Sequence, residues 1–254
     1  MIVRQRNAQR RHIRSGACDI WLTFHPEGNS SVSGDGFGSI SVFNEYHLPS
    51  AQTVLSGPVL DTELITCISR GALILEAPSG SSGAITAGEF QCATILQVVN
   101  LRMTNLASSD IAHFFRIYLR LPDTPDALLS VEEQMQQMRF TAAERHNVLC
   151  PVVSPDLPRT LRSTTNSRVF SGILDPGRHI VYELPPRRKV WLHIVCGAAT
   201  ANEVHLTYGD GIGITDEPSI SITVTESTEL LLVDMPEGDP GTPSEIDSAT
   251  EAPS

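Results

Sequence analysis

The chain has 254 residues, 41% hydrophobic and 19% charged, enough apolar content to bury a core as one large β domain or two smaller ones. Eighteen Lys and Arg against twenty-nine Asp and Glu give a formal charge of −11, which opposes non-specific attraction to nucleic acid or anionic lipid. No run approaches the ~18 apolar residues of a bilayer-spanning helix, and the first twenty residues lack the apolar stretch of a secretory signal. Cys18, Cys67, Cys92, Cys150 and Cys196 are odd in number and never spaced Cys-x-x-Cys, so neither a disulfide framework nor a zinc knuckle is expected. A cytoplasmic protein without nucleic-acid partners or membrane insertion is the expectation.

Arg4, Arg6, Arg10, Arg11 and Arg14 precede the first acid, Asp19. A transit peptide or basic arm would use them, but Ile20-Trp21-Leu22-Thr23-Phe24 follows at once, and a first strand with its turn is preferred. Further β-rich stretches lie at 39–43, 63–68 and 72–75, separated by turn formers such as Pro78-Ser79-Gly80. Phe115, Ile117, Leu119 and Leu121 alternate with Phe114, Arg116, Tyr118 and Arg120, which predicts a half-buried strand with its arginines outward.

The helical signal is confined to one place. Ser130 and Glu133 have capping-box spacing, and Val131, Met135 and Met138 recur at helical intervals, predicting one short connecting helix. Beyond it, 168–173, 180–184, 190–196 and 230–234 read as strands. Strict alternation over 219–225 puts Ile220, Ile222 and Val224 on one face. From Glu237 onward the chain holds five acids, no base, and prolines at 240, 243 and 253, the composition of a disordered acidic tail.

A weak internal repeat underlies the order. Leu64 to Ile68 leads to Gly71, a hairpin, Gly88, further strands and Pro122; Trp191 to Val195 leads to Gly197, a hairpin, Gly209, further strands and Pro236. Two small antiparallel barrels suit such short strands better than one open sheet. The expected division is a first barrel over 1–125, a connecting segment over 126–150, a second barrel over 151–236 and the tail over 237–254.

At this point the sequence resembles the pirin family of two-barrel cupins. Asp19-x-Trp21-x-Thr23-Phe24, Gly36-Phe37-Gly38, Val42-Phe43-Asn44-Glu45, Asp61-x-Glu63-Leu64-Ile65-Thr66, Ala87-Gly88-Glu89-Phe90-Gln91, Ser154-Pro155-Asp156, Arg188-x-Val190-Trp191-Leu192, Gly209-Asp210-Gly211 and Glu229 to Pro236 carry the resemblance, which spans residues 2 to 236. It implies an all-β bicupin. It also implies a transition metal, commonly iron, held in the first barrel by a His-Pro-His triplet and a His-x-Glu pair, and in some relatives quercetin 2,3-dioxygenase activity.

Here the triplet reads Gly57-Pro58-Val59, and the second pair falls at Leu101 and Met103. Gly, Val and Leu carry no donor atom, and a thioether is a soft ligand unsuited to an oxygen-activating iron. The expectation is therefore a vacated site with no metal cofactor. The leading functional reading is a non-catalytic accessory or regulatory protein that binds another protein. One alternative is a metal-dependent oxygenase with ligands recruited from His25, Glu45, His47 or Glu63. The other is a small-molecule sensor using the emptied barrel, a pocket lined by Val59, Leu101 and Met103 and suited to a small apolar ligand. His193, alternating with Trp191 and Val195, is expected to pack inside the second barrel.

Overall fold

The computed structural model describes residues 1–24, 36–76, 82–121 and 135–237. The first half carries β1 (Ile2–Gln5), β2 (Arg11–Ser15), β3 (Cys18–Phe24), β4 (Ile40–Leu48), β5 (Thr53–Leu55), β6 (Thr62–Arg70), β7 (Ala72–Glu76), β8 (Ser82–Thr86), β9 (Glu89–Ile95), β10 (Arg102–Thr104), β11 (Ala112–Arg120) and β12 (Met135–Arg139). A short helix, α1 (Ala142–Arg145), leads into the second half. There follow β13 (Cys150–Ser154), β14 (Leu161–Arg162), β15 (Arg168–Leu174), β16 (His179–Glu183), β17 (Arg188–Cys196), β18 (Ala198–Ala201), β19 (Val204–Thr207), β20 (Gly211–Ile214), β21 (Ser219–Val224) and β22 (Thr228–Pro236).

Each barrel is a large sheet closed by a small one. In the first, the order β12-β9-β6-β11-β4-β3-β2 faces β5-β10-β7-β8; in the second, β1-β20-β17-β22-β15-β13-β14 faces β16-β21-β18-β19. The pairing is antiparallel except between β13 and β14. Ile20, Leu48, Ile68 and Phe114 meet Val54, Leu73, Ile85 and Met103 inside the first barrel. Leu192, Ile194, Ile212 and Leu232 meet Ala199, Ile220, Ile222 and Val224 inside the second. The two large sheets pack back to back over a third core that includes Phe43, Phe115, Trp191, Val195 and Leu231. Burying both faces of each large sheet is what lets such short strands hold together.

The repeat read from the sequence is the architecture. β6 and β17 each end at a glycine with positive φ, Gly71 and Gly197, before a hairpin of the small sheet. A Cβ at Gly197 would lie 2.2 Å from the Ser227 carbonyl oxygen, so only glycine fits that bend. Among the described residues no helix is long and apolar enough to cross a membrane.

Four expectations need correction. β1 pairs with β20, so the opening residues of the segment expected to form the first barrel extend the sheet of the second. Reciprocally, β12 pairs with β9, so the connecting segment returns a strand to the first barrel. Met135 and Met138 thus lie on a strand rather than a helix, because the free edge of β9 supplies ladder partners that outweigh a weak helical pattern. Val131 lies outside the described residues, and the observed helix starts at Thr141, whose side chain and Glu144 form the capping box. Third, Arg116 is 1% exposed and points into the first barrel rather than outward. Finally, His193 faces the core between the barrels, in ring contact with Phe43 and Phe115, and not the interior of the second. The tail beyond Glu237 lies outside the described residues.

Candidate functional sites

The chain after β5 runs across the mouth of the first barrel beside the approach to β10. Ser56 and Leu101 exchange hydrogen bonds of 2.8 and 2.9 Å, Val59 and Val99 pair as an isolated bridge, and Met103 sits opposite Val54 and Leu75. The fold therefore brings Gly57, Val59, Leu101 and Met103 together on neighbouring stretches of chain. Gly57, Val59 and Leu101 carry no donor atom: Val59 and Leu101 join an apolar cluster with Leu64 and Tyr118, and Met103, a thioether, is fully buried in the barrel core. A Cβ at Gly57 would meet nothing within 4 Å, so that corner is open space.

A cavity of about 630 Å³ occupies this mouth. Ile20, Leu22, Asn44, Tyr46, Val59 and Tyr118 form much of its wall, and Gly57 and Asp61 belong to its rim segment. The pocket expected over Val59, Leu101 and Met103 is lined by the first of these; the other two stand behind the wall. Burial pushes the Tyr118 phenol above its ordinary range, keeping it a neutral hydroxyl.

A second constellation lies on the opposite face of the same sheet, near the contact with the second barrel. Glu45 and His47 are two apart on β4 and share a face, and the β4–β11 register sets His113 directly across from His47. One ligand atom from each of Glu45, His47 and His113 falls within 4.8 Å of the others. Two imidazoles and a carboxylate are a donor set that suits a transition metal.

That carboxylate is already engaged. Glu45 Oε2 accepts a hydrogen bond of 2.6 Å from Arg10 Nη1; Oε1 receives Tyr208 Oη at 2.6 Å and His113 Nε2 at 2.8 Å, with His47 Nε2 3.3 Å away. The Arg10 and Glu45 side chains are both 0% exposed. Burial alone would raise the Glu45 carboxyl, but its contacts with His113 and His47, the Arg10 charge and the Tyr208 hydroxyl outweigh it and hold the group well below the usual carboxylate range. A cation seated here would face the Arg10 guanidinium and compete with three hydrogen bonds. The cluster as it stands ties three parts of the chain together: the turn before β2, the first barrel and, through Tyr208, the second.

Of the residues singled out as recruited ligands, His47 and Glu45 meet, while Glu63 stands apart. Its carboxylate accepts hydrogen bonds of 2.7 Å from both Ser163 and Thr164 across the barrel contact. His25 lies outside the described residues. His113 was missed, because its partnership with His47 arises across strands distant in sequence and no local spacing announces it.

Residues 152–235 match the model of the quercetinase C-terminal cupin domain. The quercetin 2,3-dioxygenase of Escherichia coli O157:H7 is 26% identical over 237 residues, 93% of this chain and 99% of that protein. A pirin-like protein of Caulobacter vibrioides is 26% identical over 200 residues, 78% of this chain and 84% of its own length. Among solved structures, Escherichia coli YhhW superposes with a TM-score of 0.84 at 25% identity, covering 94% of this chain and 99% of that one. The structure of bacterial pirin YhhW in complex with nickel(II) gives 0.82 at the same identity, covering 94% and 100%.

Proposed function

This chain belongs to the pirin family of two-barrel cupins, and from that premise we propose that its first barrel is a metal-independent binding pocket for a small organic molecule. One observation supports the reading: at the four positions that the resemblance assigns to metal ligands stand Gly57, Val59, Leu101 and Met103, and beside them opens a cavity of about 630 Å³. That volume lies within the range of small-molecule sites, and its mixed apolar and polar wall is of the usual kind. Without imidazole or carboxylate donors at those positions the barrel supplies no Lewis acid, so the protein's part is to bind and enclose. The pocket would report occupancy to a protein partner, as a regulatory subunit does.

A thermal-shift screen of the full chain with flavonoids and other flat organic compounds tests this. Stabilisation that grows with ligand concentration is expected, by RT ln(1 + [L]/Kd). No stabilisation by any compound would defeat the pocket reading and leave binding of another protein as the function.

A second reading keeps the chemistry for which the relatives are named, at Glu45, His47 and His113. It requires a cation to displace Arg10 or Tyr208 from the carboxylate. Elemental analysis after expression with added iron, nickel, copper, manganese or zinc separates the two. The first reading predicts less than about a tenth of an equivalent of any of them, and a full equivalent lost in Glu45→Gln would establish the second.

A further inference from the structure

One row of side chains crosses the inner face of the first barrel's large sheet. Gln91 on β9 pairs with Thr66 on β6, Thr66 with Arg116 on β11, and Arg116 with Asn44 on β4. All four are buried: Gln91 and Asn44 are 4% exposed, Thr66 and Arg116 1%. Among the described residues Arg116 Nε and Nη1 have no hydrogen-bond partner, and neither do Gln91 Nε2 and Asn44 Oδ1. The acids on the neighbouring strands, Glu45 and Glu63, alternate to the opposite face, where Arg10 and Ser163 hold them. A guanidinium keeps its charge under all ordinary conditions, so Arg116 is a permanent buried cation without a counter-charge among the described residues.

Of this row Asn44 lines the cavity; Arg116 lies one step behind that wall, its guanidinium carbon 5.1 Å from the ring centroid of Tyr118, which lines it too. We infer that this pocket binds an organic carboxylate with a flat apolar body, the carboxylate received by Arg116 with Gln91 and Asn44 and the body held among Ile20, Leu22, Tyr46 and Tyr118. This deepens the pocket reading and rests on it. The guanidinium fork matches the two oxygens of a carboxylate, Gln91 offers an N–H, and the Asn44 amide can present either end. The buried Arg116 cation balances a single negative charge, while Asp61 and Arg120, both in the cavity lining, offset one another. Aromatic residues beside the cation supply the surface on which a planar ligand stacks.

Titration calorimetry on the full chain tests the inference with benzoate, trans-cinnamate and 2-naphthoate, each paired with its own amide. At least one acid should bind tenfold or more tightly than its amide. In Arg116→Met that ratio should fall to about one while the protein stays folded, and Arg116→Lys, which keeps the charge and loses the fork, should retain an intermediate ratio. Equal binding of acid and amide, or an acid affinity unchanged in Arg116→Met, would overturn carboxylate recognition and leave the pocket reading intact. Flavonoid stabilisation without binding of any acid has the same meaning. Silence in both the acid panel and the flavonoid screen overturns both.

Discussion

The fifth residue of the nine-residue strand at the middle of each large sheet is Arg116 in the first barrel and Leu232 in the second. The neighbours in register follow suit: Thr66, Gln91 and Asn44 around Arg116 stand where Leu192, Ile212 and Phe170 surround Leu232. The second barrel shows that this frame closes over a hydrocarbon centre, with Leu192, Ile212 and Leu232 all 0% exposed. Stability of the fold therefore does not call for the polar row. A buried cation with unpartnered amides opposes folding by several kcal/mol unless something fills their bonding capacity, so the row is explained by what the first barrel holds rather than by how it folds.

Exchanging the two centres is the most severe way to break the comparison. Leu232→Arg puts a charge among Leu192, Ile212 and Phe170, beside an acid, Asp234, that Tyr182 and Arg188 already hold, and should destabilise the chain by about 5 kcal/mol or more, observed as loss of the cooperative urea transition. Next in size is Glu45→Ala. It strands the fully buried Arg10 guanidinium and cuts the tie to Tyr208, for an expected loss of about 3–5 kcal/mol in the same measurement. The reverse exchange has the opposite sign. Arg116→Met removes an uncompensated charge at nearly constant volume and should raise unfolding free energy by about 1–3 kcal/mol in the absence of ligand. Destabilisation by Arg116→Met would mean that the cation is already compensated in the free protein.

Much of this frame could be read from the sequence, for physical reasons that also mark where reading stops. Alternation over Ser219–Val224 places Ile220, Ile222 and Val224 in the core because that strand has one wet face. On Ala112–Arg120 the same alternation misleads, because β11 is covered on both sides and the charged face looks into a polar barrel instead of water. Strand exchange between the halves, β1 to the second barrel and β12 to the first, depends on which sheet edges are free, a property of the assembled chain alone. The positions that the resemblance assigns to metal ligands, Gly57, Val59, Leu101 and Met103, fall within short motifs and need no knowledge of the fold to be named. Those that build the observed sites, Arg116 beside Asn44 and His113 beside His47, meet through register between distant strands.

The smallest expected effect concerns His193, a ring buried between the barrels. His193 is 0% exposed, neither ring nitrogen has a hydrogen-bond partner among the described residues, and it packs against Phe43 and Phe115 near Arg10, Glu45 and His113. Burial, with the Arg10 charge adding to it, lowers its pKa from 6.5 to about 3. The unfolded chain therefore binds a proton below about pH 6.5 that the native state refuses until about pH 3, so stability falls with falling pH across that window. One such proton sets a slope of at most about 1.4 kcal/mol per pH unit. Glu45 acts in the same direction but only below its ordinary value of 4.5, because its depressed carboxyl stabilises the native state above that pH and ceases to do so in acid. Between pH 6.5 and 4.5 His193 contributes to the slope and Glu45 does not. His193→Leu, which gives this face the same apolar character as the barrel interior behind it, should flatten urea-denaturation stability over those two pH units while leaving the acid limb due to Glu45 in place. An unchanged slope would show that the imidazole takes up its proton in the native state, through a rearrangement that lets it reach Glu45.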